Sequence, residues 1–245
     1  YGIKPNGKNI NKNCGATFPK EISKRTLKER AYIGISFDGD ADRVIFCDEE
    51  GNVVDGDYIL AILALHYKNK NKLYNNSVVS TKMSNLGMRN FFLKEKIKFF
   101  LSDVGDRYVV ELMKENNCVL GGEQSGHIIF SENSFCGDGL FTALTILEII
   151  NETKLPLSKL HKNLFNKLPQ HLVNYKLFNN SDIILKGGTI KKLLHKYSKN
   201  NDCDVLLRKS GTENLLRLMV QAKSKGLVEK IVKEFLIEIK KLDEN

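Results

Sequence analysis

Two spacings of apolar residues alternate along the first two thirds of the chain. "AYIGISF" (31–37) and "RVIFCD" (43–48) are short apolar runs, each reading as a buried strand. "EEGN" (49–52) is a hairpin-type turn after the second run. From Asp57 the period changes, and Ile59, Leu60, Ile62, Leu63 and Leu65 make a helical stripe. "SVVST" (77–81) is strand-like and "NLGMRNFFLKEK" (85–96) helical, with Ser84 placed as N-cap. "IKFFL" (97–101) is strand-like and "DRYVVELMKENN" (106–117) helical, with Asp106 as its candidate cap. "CVLGG" and "HIIF" read as strands flanking a glycine loop, and Asp138 is placed to cap the helix "GLFTALTILEIINE". Strand and helix alternate, which is α/β patterning.

The pattern changes near "LPLSKLHKNLFNKLPQ" (155–170), which holds two of the four prolines. Beyond it the chain reads as a strand (171–178), a helix (189–199), two strands around "RKSGTENL" and a closing amphipathic helix (226–241). This is the expected separate, small α+β domain.

Composition narrows the classes. Apolar residues make up 42% and charged residues 27% of the 245, ordinary for a globular protein. No apolar run reaches the roughly 18 residues of a membrane span, and no signal peptide is visible, so no membrane partner is expected. Five scattered cysteines without a CxxC pair argue against a disulfide framework or zinc cage and for a reducing, cytoplasmic setting. The net charge of +9 suits anionic partners, but the lysines lie in polar stretches and are not interleaved with aromatics. Nucleic acid is therefore not the expected partner.

Three loops carry chemistry. In "DGDADR" the carboxylates of Asp38, Asp40 and Asp42 stand two residues apart and can converge on one hard cation, Mg²⁺ or Ca²⁺. An EF-hand counted from Asp38 places Glu49 correctly at position twelve. It fails at position six, where Arg43 replaces glycine, and its flanks read as strands where that motif needs helices. In "GGEQSGH" Glu123 and Ser125 can face one side of the loop and suit vicinal sugar hydroxyls, while His127 is the one protonable ring of the loop. A glycine hairpin with a core-facing histidine is the competing reading. In "RKSGTENLLR" Arg208, Ser210, Gly211, Thr212 and Arg217 combine hydroxyls, backbone amides and two guanidinium groups, a fit for phosphate. A surface hairpin with incidental arginines is the alternative there. Together the loops read as phosphoryl transfer on a phosphosugar.

These motifs, a DGDxDR loop, a GExSGH loop and an RxSGTExxxR loop in this order, resemble those of the α-D-phosphohexomutases. "NINKNCGAT", "MSNLG" and "VGDRYV" are similar to stretches in the bacterial members that act on hexosamine phosphate. The resemblance implies repeated mixed α/β domains plus a small C-terminal α+β domain. Residues 1–55 would end domain two and carry the metal loop. Residues 56–165 would be domain three with the sugar loop, and 166–245 the C-terminal domain with the phosphate loop. It implies Asp38, Asp40 and Asp42 as Mg²⁺ ligands, Glu123 and Ser125 on the sugar hydroxyls, and Arg208, Ser210, Gly211, Thr212 and Arg217 on the phosphate that does not react. Arg43 would position the reacting phosphoryl group, His127 would be a general acid/base and Arg107 a supporting charge.

In the family a phosphoserine in a Ser-His-Asn-type loop donates the phosphoryl group, and the reaction passes through a sugar bisphosphate. No such loop occurs in these residues, and the chain starts at Tyr1. The expectation is therefore a C-terminal portion whose N-terminal domains are its partners, inactive alone. A member acting on mannose or glucose phosphates, or a silent phosphosugar-binding module, are the alternatives. Two departures stand out. Asn214 replaces the usual proline, and Ala41 replaces a glycine, which requires a negative φ there.

Overall fold

A computed structural model of the chain describes residues 2–177, 181–198, 202–210 and 214–244. Two compact units form, Tyr1–Ser84 with Met88–Asn166, and Asn85–Gly87 with Lys167–Asn245.

In the first unit, helix α1 (Pro19–Lys28) precedes an antiparallel sheet of β1 (Gly34–Phe37), β2 (Val44–Cys47) and β3 (Val53–Val54), in that order. The pairing of β1 with β2 ends at Phe37↔Val44, so residues 38–43 are the hairpin loop between them. Helix α2 (Gly56–Asn69) follows. Its residues Ile59 to Ala64 are buried without interruption, beyond the single stripe that the spacing predicts. The cause is its central place, in contact with β3 and with three further elements introduced next: β6, α5 and α6.

The second sheet of this unit has β5 (Lys98–Ser102), β4 (Ser77–Thr81), β6 (Leu120–Gly122) and β7 (Ile128–Phe130) in that order. Strand β4 runs parallel to β5 and β6, while β6 and β7 form an antiparallel hairpin around residues 123–127. Its helices are α3 (Leu86–Lys94), α4 (Asp106–Asn116), α5 (Gly139–Thr153) and α6 (Leu157–Lys162). Neighbouring strand residues point to opposite faces, and both faces are covered. Val78 and Ile128 pack into a core with Leu60, Met88, Phe92 and Ile146. Val79 and Ile129 pack on the other face with Val109 and Met113 of α4. That accounts for the unbroken burial of "SVVST". Burying each such aliphatic side chain contributes about 2 kcal/mol before entropy.

Asp138 caps α5 as its position predicts, accepting a hydrogen bond from Phe141 N–H at 2.8 Å. Asp106 is not the cap of α4. It is the first helical residue, and Gly105 precedes it with φ 133° and ψ 139°. Helix α6 falls inside the stretch read as a boundary. It belongs to the first unit because Leu157 is buried and Leu160, Leu164 and Phe165 pack on the main core. The helix also clasps the β2–β3 turn: His161 Nε2 lies 2.9 Å from Asp48 Oδ2, Ser158 bonds Glu49, and Lys162 pairs with Glu50.

The second unit contains β8 (Gln170–Lys176), α7 (Ser181–Lys186), α8 (Gly188–Ser198), β9 (Cys203–Lys209), β10 (Leu215–Ala222) and α9 (Lys225–Asp243). Its antiparallel sheet has the order β8-β10-β9. Leu216, Leu218 and Val220 on one face of β10 meet Ile231, Phe235 and Ile239, which recur at helical spacing on α9. Ser224 caps α9 through Leu227 N–H. Helix α7 has no counterpart in the sequence reading. Among the described residues no helix is long and apolar enough to cross a membrane.

Candidate functional site

All three chemistry-bearing loops are hairpin loops: 38–43 joins β1 to β2, 123–127 joins β6 to β7, and the loop after Lys209 joins β9 to β10. Rigid ladders thus fix the ends of each loop.

In the first loop, oxygens of Asp38, Asp40 and Asp42 all lie within 4.8 Å of one another. Arg43 N–H donates to Asp38 Oδ1 at 3.1 Å, and its Nε sits 3.9 Å from Asp38 Oδ2 and 3.8 Å from Asp42 Oδ1. Burial and the adjacent Asp42 push the Asp38 carboxyl up from its ordinary value, against the pull of Arg43. Asp42 Oδ1 is buried without a hydrogen-bond partner among the described residues. Crowded carboxylates with an unsatisfied oxygen are what an oxygen-seeking divalent cation relieves, so the donor set fits one. Glu49, the twelfth residue of the EF-hand count, bonds Ser158 instead.

Ala41 overturns the expectation of a negative φ: its φ is +58°. The turn itself imposes this. Ala41 N–H points back to Asp38 O at 3.3 Å, while its carbonyl accepts Gly139 N–H at 2.9 Å from the start of α5.

The second loop is anchored on several sides. Gly126 O accepts Val44 N–H at 3.1 Å, next to the acidic loop. Gly56 N–H donates to Gln124 O at 3.1 Å, and a side chain at Gly56 would put its Cβ 1.9 Å from Glu123 O. Gln124, a position that discriminates little by sequence, turns inward and donates from Nε2 to the buried Asp57 at 2.8 Å. Glu123 and Ser125 then share a side: Ser125 Oγ donates to Glu123 Oε2 at 3.3 Å, and Gly105 N–H donates to Glu123 Oε1 at 3.1 Å. Gly56, Asp57 and Gly105 are thus structural parts that sequence reading missed. Their only signal was glycine beside acids in "VVDGDYIL" and "VGDRYV".

His127, expected as a general acid/base, is 3% exposed. Its Nδ1 lies 3.1 Å from Asp42 Oδ2, so the ring braces a carboxylate of the acidic loop. Arg107 is 81% exposed and pairs with Glu111 on its own helix at 2.8 Å.

The third loop is described within the second unit. The register places Arg208 directly opposite Arg217. Like charges facing across a ladder are unfavourable, and an anion between them relieves this. Ser210 is 2% exposed, and its N–H donates to Leu215 O at 2.9 Å. Gly211 and Thr212 lie outside the described residues. Asn214 ties back to β8's end, its carbonyl accepting Leu177 N–H at 3.2 Å.

Two family descriptions match the chain: phosphoglucomutase/phosphomannomutase, alpha/beta/alpha domain III, over residues 55–168, and phosphoglucomutase/phosphomannomutase, C-terminal domain, over residues 188–238. The chain belongs to the phosphohexomutase family. Among its relatives, phosphoglucosamine mutase of Clostridium novyi is 47% identical over 230 residues, 93% of this chain and 51% of the relative. Phosphoglucosamine mutase of Pelagibacter ubique is 47% identical over 240 residues, 98% of this chain and 53% of the relative. The chain therefore spans about half the length of these curated relatives. The fold is also that of Aspergillus fumigatus N-acetylphosphoglucosamine mutase in complex with GlcNAc-6P and magnesium, at TM-score 0.75 and 19% identity, covering 97% of this chain and 55% of that one. A phosphoglucomutase/phosphomannomutase family protein from Burkholderia thailandensis gives TM-score 0.72 at 21% identity, covering 93% and 51%.

Proposed function

We propose that the chain is the metal-, sugar- and phosphate-binding portion of a phosphoglucosamine mutase, which interconverts glucosamine 6-phosphate and glucosamine 1-phosphate. The observation that carries this is the joining of two loops at one place: Asp42 of the acidic loop is bonded by His127 of the sugar-type loop at 3.1 Å. A cation site is thereby built directly onto a hydroxyl-binding loop. The names of the relatives support the amino sugar.

In this reading residues 1–55 end domain two, 56–165 form domain three and 166–245 the C-terminal domain. Asp38, Asp40 and Asp42 would hold Mg²⁺, which supplies positive charge to a phosphoryl group in transfer. Arg43 places its guanidinium beside the same carboxylates and orients the reacting phosphoryl oxygens. Glu123 accepts hydrogen bonds from sugar hydroxyls, and Ser125, whose O–H donates to Glu123, keeps oxygen lone pairs free to accept. Arg208, Ser210, Gly211, Thr212 and Arg217 grip the phosphate that does not react. That grip must serve either end of the sugar, because the phosphate exchanges ends during the cycle. His127 holds Asp42 in place. The five free cysteines support a reducing, cytoplasmic setting.

The test uses a protein of the relatives' length that carries these residues. With Mg²⁺ it should convert glucosamine 6-phosphate to the 1-phosphate, and Asp40→Asn should abolish turnover without unfolding the chain. A strong preference for mannose or glucose phosphates would overturn the amino-sugar assignment. Near-normal turnover of Asp40→Asn would overturn the metal assignment.

A further inference from the structure

The side chain of Glu123 has a partner outside its own loop. Gly105 N–H, at the N-cap of α4, donates to Glu123 Oε1 at 3.1 Å. The first turn of a helix carries amide groups without intrahelical partners and the positive end of the helix dipole. Asp106, which by sequence should serve that end, accepts instead from Arg107 N–H at 2.7 Å and makes no cap bond to a later amide. A carboxylate from the β6–β7 loop therefore satisfies the amide of the residue that precedes the helix. The Gly105 backbone, at φ 133° and ψ 139°, is open to glycine and strained for any other residue. That conformation is what turns its N–H toward Glu123.

We propose that Gly105 is a positioning residue for sugar binding: its amide fixes the Glu123 carboxylate before the ligand arrives. One oxygen of Glu123 faces the Gly105 amide and the other the Ser125 hydroxyl. The carboxyl plane is therefore set, and its remaining lone pairs are left to accept from a ligand. Preset groups bind more tightly because less side-chain freedom is lost on binding. The strand before the loop is braced in the same sense, with Ser80 Oγ donating to Gly122 O at 2.6 Å. This inference rests on the reading of Glu123 as a sugar-binding residue.

Calorimetry with glucosamine 6-phosphate and with inorganic phosphate tests it on the chain. Gly105→Ala should weaken glucosamine 6-phosphate binding about tenfold, the scale of one charge-assisted hydrogen bond, and leave inorganic phosphate binding unchanged. Combined with Glu123→Ala, the losses should be less than additive, because one residue acts through the other. Should Gly105→Ala fail to fold, amide hydrogen exchange in Glu123→Ala decides: the Gly105 amide should exchange faster than in the parent chain. A folded Gly105→Ala with parental sugar-phosphate affinity overturns the inference, as does unchanged exchange at Gly105. If Glu123→Ala itself binds glucosamine 6-phosphate normally, the sugar-loop reading beneath it is what falls.

Discussion

His127 Nδ1 and Asp42 Oδ2 lie 3.1 Å apart, and this one contact ties the sugar-type loop to the acidic loop. The histidine ring has little freedom to do anything else. A Cβ added at Gly137 would come within 2.4 Å of it, and the residue is 3% exposed. A group that orients a ligand carboxylate from behind typically changes metal affinity ten- to a hundredfold when removed, on the order seen for outer-shell partners in general. His127→Ala should therefore weaken Mg²⁺ binding by about that factor in a calorimetric titration without sugar. Unchanged Mg²⁺ affinity would show that the ring does not brace the site.

Ala41 sits at φ +58° between two of the acidic residues, held there by the bonds of its own peptide to Asp38 and Gly139. An alanine in the left-handed region costs about 1 kcal/mol relative to glycine. Ala41→Gly should raise the stability of the first unit by about that amount in denaturant unfolding at neutral pH, while keeping the spacing of the carboxylates. A loss of stability would mean that neighbouring packing, not backbone strain, governs the position.

The two residues also show where sequence reading reached and where it stopped. The loops were legible because each puts a dense cluster of polar and glycine residues between two apolar runs, and "RVIFCD", "SVVST" and "HIIF" all became strands. Local signals sufficed for Asp138 at α5. They failed at Asp106, because α4 starts one residue earlier than a capping Asp106 requires, with Gly105 as N-cap and its amide bonded by Glu123. They also missed helix α6 inside "LPLSKLHKNLF", where Leu157 and His161 are buried by tertiary contacts. The sign of φ at Ala41 is likewise a property of the closed hairpin, since most alanines avoid it. Gln124 fills the unspecified position of the GExSGH loop, and its bond to the buried Asp57 joins residues that only the fold brings near.

The clasp on the β2–β3 turn has a pH signature. Asp48 is fully buried. Burial alone would raise its carboxyl, but hydrogen bonds from His161 and Asn52 outweigh it and hold the carboxyl below its ordinary value. A carboxyl lowered on folding adds stability above the unfolded value, near about pH 4, and loses it as pH falls through the lowered value. Asp48→Asn should cost about 2 kcal/mol near neutrality, the scale of a buried hydrogen-bonded charge losing its partners. The gap between variant and parent should begin to narrow as pH falls below about 4 and close only below the lowered value, where both are uncharged at this position. Denaturant unfolding across that range measures it, and a gap that stays constant would place the stabilisation elsewhere than in the charge.

Arg208 and Arg217 face each other across the β9–β10 ladder, an arrangement that spacing alone did not disclose. Like charges at facing ladder positions are unfavourable and a bound anion offsets this, and a guanidinium group can grip phosphate through two parallel N–H bonds. A lysine at 217 keeps the charge but presents a single point in place of a fork. Arg217→Lys should therefore weaken binding of glucosamine 6-phosphate about tenfold by calorimetry, and inorganic phosphate by a similar factor, because the loss lies in the phosphate grip and not in the sugar contacts. Equal affinities for parent and variant would remove Arg217 from the grip. A loss confined to the sugar phosphate, with inorganic phosphate unaffected, would mean that the arginine reads some other part of the ligand.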